Sequence, residues 1–458
     1  MRVAFYTLGC KLNQCESEAL ASSFGSQGFF LVSPMERADV YVVNTCTVTS
    51  KSEQKARRMI RKFSRENPES LIVVTGCYAQ MEPEVFRALG PQVLVVSGDQ
   101  KDRLLKLPLY LNESGCASAV TLDEVRRALD MATGAETNRF SFDAPQFSSH
   151  SRAFLKIQDG CNNRCSYCRV TLARGDSVSL DLGEVLHRAI RLENAGFDEI
   201  ILTGINLSLY RSEERNLSGL VQELLSATSR SRFRLSSLEP DYLIPDNVEV
   251  FTDPRVCPHF HLPVQSGDND ILRRMARHYS SNHVREAFGF LRSVKNDPFI
   301  AMDIIVGFPG ETDAAFRSTR DLIKELRPAA LHVFPFSARP GTAAAGFPEH
   351  IPERITGERT AELRSISESL HYSYLRRWAE REEKVLVELP PSREHDGRGI
   401  TSNYLHIGIP LEAGKDIQMG RCYSALLRLK NSGLEAVGLS ELSPSFRLSR
   451  NKNIQPKH

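Results

Sequence analysis

Short apolar runs alternate with helically spaced stretches over the first hundred residues. VAFYTL, DVYVVN (Asp39 to Asn44), LIVVTG and QVLVVSG read as strands. CESEALASSFGSQG, the stretch from about Lys51 to Arg65, and MEPEVFRALG read as the helices between them. Alternation of this kind predicts a parallel sheet with crossover helices. From Ser151 to about Arg377 the alternation resumes, with strands expected at FLKIQD, DEIILTG, FRLSSL, HFHLPV, IAMDIIVG and AALHVFPF. Six such units are too few for a complete eight-unit barrel of ~250 residues, so a partial, open barrel is expected. A long helical pattern, ERTAELRSISESLHYSYLRRWAEREE, ends near Glu383. The runs KVLVEL, NYLHIGI, YSALLRLK and GLEAVGLSEL then predict a small β-barrel. The fold class is α/β. The expected division is an amino-terminal unit at 1–110, a connecting segment at 111–150, a central unit at 151–378, a small barrel at 379–445 and a basic tail at 446–458.

Composition narrows the setting. The chain has 458 residues, which fits about three domains, and 41% of them are hydrophobic. A net charge of +2 gives no strong global field. Ten cysteines in so long a chain are not a secreted disulfide framework. No apolar run reaches membrane-spanning length, and MRVAFYTLGCKLN lacks the apolar core and cleavage site of a signal peptide. A cytoplasmic location without a membrane partner is expected.

The cysteines carry the chemistry. Cys161, Cys165 and Cys168 stand in FLKIQDGCNNRCSYC with the spacing Cys-x3-Cys-x2-Cys. Three thiolates hold three irons of a 4Fe–4S cube and leave the fourth iron open. A structural zinc site is the alternative, but it wants a fourth Cys or His close by, and the first candidate is His187. Cys10, Cys46 and Cys77 each follow a predicted strand, so all three fall at the carboxyl edge of the parallel sheet, where open α/β sheets build sites. Three separately packed cysteines are the alternative there. Cys116 has no partner spacing.

Both cysteine sets belong to longer motifs. TLGCKLNQCESEAL, VVNTCTVTSKSEQKAR and VVTGCYAQ, followed by the cysteine triplet, LTGINLSLY, RLSSLEP, HLPVQSGDNDILRRMARHYS, DIIVGFPGETDAAF and GRGITSNYLHI, resemble the radical S-adenosylmethionine tRNA methylthiotransferases over nearly the whole chain. Gly9-Cys10-Lys11-Leu12-Asn13-Gln14, with Glu16-Ser17-Glu18, looks like the threonylcarbamoyladenosine branch. The isopentenyladenosine branch typically reads Gly-Cys-Gln-Met-Asn there, and the ribosomal-protein branch Gly-Cys-Pro-Lys-Asn. The resemblance implies two 4Fe–4S clusters, one on Cys161, Cys165 and Cys168 and one on Cys10, Cys46 and Cys77. It implies an S-adenosylmethionine pocket lined by Gly204, Asn206, Ser236, Glu239, Gln265 and Gly307, all at strand ends of a radical S-adenosylmethionine barrel. The implied reaction cleaves S-adenosylmethionine to a radical that removes hydrogen from carbon 2 of an adenosine at tRNA position 37. Sulfur arrives from the second cluster and a methyl group from a second S-adenosylmethionine. Partners would be a tRNA anticodon loop, an electron donor and a sulfur source. Methylthiolation of isopentenyladenosine or of a ribosomal protein is the same-class alternative, and a non-catalytic iron–sulfur redox sensor that binds RNA is the different-class one.

The chain departs from the family pattern at Cys15, where an aromatic residue is usual and packing is expected. It departs again at Thr171-Leu172 and Leu180, where a proline-tyrosine pair and an arginine are usual. The carboxyl-terminal barrel resembles a TRAM domain. From Lys384 onward there are 11 Lys and Arg against 7 Asp and Glu, and with an exposed Tyr404 this suits RNA binding. The helix KSEQKARRMIRKFSR, with seven positive charges against one negative, reads as a solvated face or a second contact to the tRNA backbone.

Overall fold

The computed structural model describes residues 1–113, 121–131, 138–144, 151–414 and 416–441. Cys116 and the basic tail at 446–458 lie outside them. The amino-terminal unit is a parallel sheet of β1 (Arg2–Thr7), β2 (Phe30–Val32), β3 (Val40–Thr45), β4 (Leu71–Gly76) and β5 (Val93–Val95). Its order is β2-β1-β3-β4-β5. β3 and β4 are buried along their whole length, which is why they are continuous apolar runs. Helices α1 (Lys11–Ser26), α2 (Ser50–Glu66) and α3 (Cys77–Met81) each start just past a strand end. The edge strand β2 was not expected from the sequence. It is three residues long and half exposed, so it shows no apolar alternation.

The central unit has the six expected strands in two parallel sheets. One runs Arg232–Leu235, Glu199–Thr203, β6 (Ala153–Lys156), and the other His259–Gln265, Phe299–Val306, Ala330–Pro335. Single bridges Phe233↔Val256 and Ser237↔His261 join the two into one open barrel. Helix α1 packs along β6 at an open edge. There Cys15 is buried, with Sγ 3.9 Å from the Phe154 carbonyl, so it fills core space. One hydrophobic core runs from Val3, Leu20 and Val73 of the first unit to Phe154, Ile201 and Phe260 of the second.

The long helix Glu353–Trp378 leads into a closed five-stranded barrel in the order Glu382–Leu389, Gly397–Thr401, His406–Ile409, Gly433–Glu441, Cys422–Lys430. Gly397–Thr401 is a second strand the apolar pattern does not reveal. Its two glycines sit where a Cβ would stand 2.6 Å from the Pro391 nitrogen and 2.5 Å from Val385 Cγ1. The barrel shares a core with the central unit through Phe299, Tyr374, Trp378, Val385, Leu405 and Leu427.

Candidate functional site

Each cysteine of the first triplet is placed by a strand end. Cys10 caps α1, Cys46 follows β3, and Cys77 opens α3. Gly9 has φ +104°, and a Cβ there would lie 2.8 Å from Cys46 Sγ, so only glycine lets the first loop close on the second. Asn13 ties the same loops together, its side-chain amide donating to the carbonyls of Leu8 (2.8 Å) and Thr45 (3.1 Å). Burial pushes the Cys46 thiol up to about 12, and the neighbouring Cys10 and Cys77 push the same way.

The second triplet lies in the loop after β6. Burial pushes the Cys168 thiol up to about 12, against the pull of the Val170 N–H, which donates to its sulfur at 3.4 Å. Cys165 Sγ accepts from Arg277 Nη1 at 3.0 Å. Arg277 also pairs with Glu239, whose other oxygen accepts from Asn163 (3.1 Å) and Asn206 (3.3 Å). Burial raises the Glu239 carboxyl to about 7, although Arg277 opposes it. Asn206 and Glu239 are therefore brought together beside the cysteine loop.

The remaining strand-end residues occupy distinct places. Gly204 faces Gln158, where a Cβ would meet the side-chain oxygen at 2.8 Å. Ser236 Oγ is buried with no hydrogen-bond partner among the described residues. Gln265 has φ +65° at the end of its strand. Gly307 has φ +76°, and its N–H donates to Glu311 at 3.1 Å.

Arg174 connects the two triplets. It ends the short helix Val170–Arg174, which follows Cys168, and this helix packs on α3, which begins at Cys77. Its Nε donates to Cys77 Sγ at 3.2 Å, Nη1 to Glu16 and Asp159 at 3.0 Å each, and Nη2 to Asn13 Oδ1 at 2.7 Å. Glu16 also pairs with Lys101 (2.6 Å) and Lys156 (2.9 Å), and Lys156 with Asp159 (2.6 Å). Burial alone would raise the Glu16 carboxyl, but Arg174, Lys101 and Lys156 hold it well below the carboxylate range. Three buried cations face two carboxylates, so surplus positive charge lies against the first triplet and favours anionic sulfur there. Two further arginines fasten the units. Arg169 donates to Thr47 (3.1 Å) and Glu82 (3.0 Å), while Arg339 pairs with Glu53 and donates to Ser50 (2.9 Å). None of these arginines stood out from the sequence. The adjacency of Arg169 and Arg174 to the cysteine motif was the available signal.

One expectation is corrected. Tyr404 is not an exposed aromatic of the small barrel. It projects into the base of the central barrel, packs against His259 with ring centroids 4.1 Å apart and planes tilted by 32°, and lies under Arg234 at 5.1 Å. Its ring is partly buried there, between His259 and the cations Arg234, Arg152 and Lys11. His259 and His261 share this lumen. His261 bonds Ser237 (2.8 Å) and Asp303 (2.7 Å), and Asp303 also bonds His332 (2.9 Å).

An open parallel barrel with a Cys-x3-Cys-x2-Cys loop after its first strand defines a radical S-adenosylmethionine protein, and residues 155–323 match the Radical SAM superfamily. Residues 2–98 match Uncharacterized protein family UPF0004. The chain is 39% identical to threonylcarbamoyladenosine tRNA methylthiotransferase MtaB of Treponema pallidum (strain Nichols), over 91% of this chain and 97% of that protein. It is 36% identical to the protein of the same name from Bacillus subtilis (strain 168), over 88% of this chain and 89% of that protein. The chain belongs to the threonylcarbamoyladenosine tRNA methylthiotransferase family. Among solved structures, the radical S-adenosylmethionine methyltransferase TsrM from Kitasatospora setae, with cobalamin and a [4Fe-4S] cluster bound, shares the fold. Its TM-score is 0.50 at 14% identity, covering 75% of this chain and 76% of that one. No helix among the described residues is long and apolar enough to cross a membrane.

Proposed function

We propose that this chain is a methylthiotransferase that adds a methylthio group to carbon 2 of threonylcarbamoyladenosine at position 37 of tRNA. The carrying observation is that Arg174, in the helix that follows Cys168, donates to Cys77 Sγ and so ties the loop of one cysteine triplet to the other triplet. In this reading Cys161, Cys165 and Cys168 hold one 4Fe–4S cluster and Cys10, Cys46 and Cys77 a second. The donor sets fit such groups, because Arg277, Arg174 and the Val170 N–H aim donors at the sulfurs. When bound, a cube with one open iron supplies reductive cleavage of S-adenosylmethionine, and the second cluster supplies sulfur. Asn206 and Glu239, held by Asn163 and Arg277, orient the S-adenosylmethionine, with Gly204, Ser236, Gln265 and Gly307 shaping its pocket. The unpartnered Ser236 hydroxyl leaves one donor free for that ligand.

The work is divided along the chain as the sequence suggests, with residues 1–110 carrying the second cluster, 151–378 the radical chemistry and 379–445 the TRAM barrel. The target is a tRNA anticodon loop, where a base is extruded at lower cost than from a duplex. Electrons and replacement sulfur come from other molecules in the cytoplasm.

Two measurements test the reading. The anaerobically reconstituted protein should release 5′-deoxyadenosine and yield 2-methylthio-threonylcarbamoyladenosine on substrate tRNA, read by nucleoside mass spectrometry. Cys165→Ala should abolish 5′-deoxyadenosine release. Cys46→Ala should keep that release and lose the methylthio product. A Cys46→Ala protein that still methylthiolates at the normal rate rules out the sulfur-delivery role.

A further inference from the structure

The lumen of the central barrel holds four cations, Lys11, Arg152, Arg232 and Arg234, around two carboxylates, Glu199 and Glu388, and only Lys11 is left without an ion pair among the described residues. Lys11 follows Cys10 directly and extends its ammonium over the Tyr404 ring, 5.4 Å from the centroid. Arg234 and Arg152 face the same ring at 5.1 and 5.9 Å. The nearby acids are already engaged. Glu199 accepts from Arg234 (2.7 and 2.9 Å) and from Arg232 (2.6 Å). Glu388 accepts from Arg152 Nη2 (2.8 Å), and Asp303 is taken by His261 and His332. Lys11 has no carboxylate within ion-pair distance among the described residues. Two further polar atoms there are buried without a hydrogen bond, His259 Nδ1 and Arg152 Nη1, the latter in ion-pair contact with the already doubly bonded Glu199 at 3.6 Å. A cavity of about 220 Å³ opens alongside, lined in part by His259, His332, His371, Tyr404 and His406, with no carboxylate in its wall. A half-buried ammonium with no carboxylate of its own, beside a buried imidazole nitrogen without a partner and an acid-free cavity, is arranged for an incoming anion, because a desolvated charge is costly unless paired.

We propose that Lys11 is a specificity-determining residue that pairs with the carboxylate of the threonyl substituent on the target adenosine, with Arg152 Nη1 and His259 completing the anion pocket. The inference rests on the proposed function. Threonylcarbamoyladenosine carries at N6 one carboxylate and one hydroxyl, whereas an unmodified or alkylated adenosine carries no charge there. Because Lys11 is the residue after Cys10, a base presented to the first triplet brings its N6 substituent to this ammonium.

The test uses the full chain with its clusters reconstituted. Its substrates are two anticodon stem-loops, one bearing threonylcarbamoyladenosine and one in which the threonyl carboxylate is a carboxamide. The wild-type protein should prefer the acid. Lys11→Gln should raise the KM for the acid by about tenfold or more, the size of a lost charge-assisted contact, and leave the KM for the carboxamide in place. Lys11→Arg should restore most of the preference. Iron content equal to wild type shows that the neighbouring Cys10 is undisturbed in each variant. A Lys11→Gln protein with full iron that keeps the wild-type preference for the acid overturns the inference alone. A wild-type protein that leaves threonylcarbamoyladenosine unmodified overturns the proposed function and this inference with it.

Discussion

Buried ion pairs, more than apolar contacts, set the positions of single residues around this site. Glu199 is the clearest case. It is fully buried and accepts hydrogen bonds from both Arg234 and Arg232. Burial alone would raise its carboxyl, but the two guanidinium groups hold it far below the ordinary glutamate range. A depressed carboxylate stabilises the fold above its unfolded pKa of about 4.3, and that contribution is lost as pH falls toward the folded value. Glu199→Gln should therefore cost about 3–5 kcal/mol at pH 7, since it leaves Arg232 and Arg234 buried without their anion and removes one of the two carboxylates facing Arg152. The gap between wild type and variant should narrow steadily below pH 4. Urea unfolding of both proteins at pH 7 and pH 3.5 checks this, and a gap that stays constant would assign Glu199 a packing role only. Residues of this kind were invisible in the sequence, because Glu199 meets partners 33 and 35 positions away and Arg174 meets Asn13 across 161. The cysteines were legible because their spacing is itself the chemistry: three thiols within eight residues, and three more that each follow an apolar run.

The strands that build the site were legible as elements for a related reason. β3, β4 and the central strand Glu199–Thr203 are covered on both faces, so burial writes them as largely apolar runs, while His259–Gln265 and Ala330–Pro335 alternate polar and apolar residues because one face looks into the lumen. β2 and Gly397–Thr401 were not legible, one being a short exposed edge and the other depending on glycine at close approaches. The same dependence fixes Cys77. Between β4 and α3, Gly76 has φ +97° and ψ −173°, and a Cβ would stand 2.4 Å from the Thr45 carbonyl oxygen. That backbone region is essentially closed to other residues and costs them about 1–3 kcal/mol before any clash. Gly76→Ala should lower stability by at least that much and displace Cys77 from Cys10 and Cys46. Iron per reconstituted chain should then fall from about eight toward about four, the content of one cube. Iron that stays at the wild-type level in the folded variant would show that Cys77 is not needed to hold a cluster.

At the scale of the whole molecule, the small barrel is part of the body and not a detachable RNA-binding module. Ser402 bonds Arg232 and Arg234, Asn403 bonds Tyr374 at 3.1 Å, and Leu405 shares a core with Trp378. Removing everything after Glu383 would strip the base of the central barrel and unsettle the protein. The positive balance read from the sequence also lies elsewhere. Between Lys384 and Glu441 the described residues carry six Lys and Arg against seven Asp and Glu, whereas residues 442–458 carry Arg447, Arg450, Lys452 and Lys457 and no acid. If phosphate contacts hold the tRNA, the tail contributes the charge and the barrel the mount. The test is truncation after Glu441, with iron content as the control that both cluster sites persist. The truncation should weaken tRNA binding and flatten the dependence of log affinity on log salt by up to roughly three, the counterion release of four lost cations. Binding of full-length and truncated protein to one tRNA across a salt series measures both effects. Equal slopes would shift the phosphate contacts to the exposed face of α2, where Lys51, Lys55, Arg58, Arg61 and Arg65 point away from the sheet.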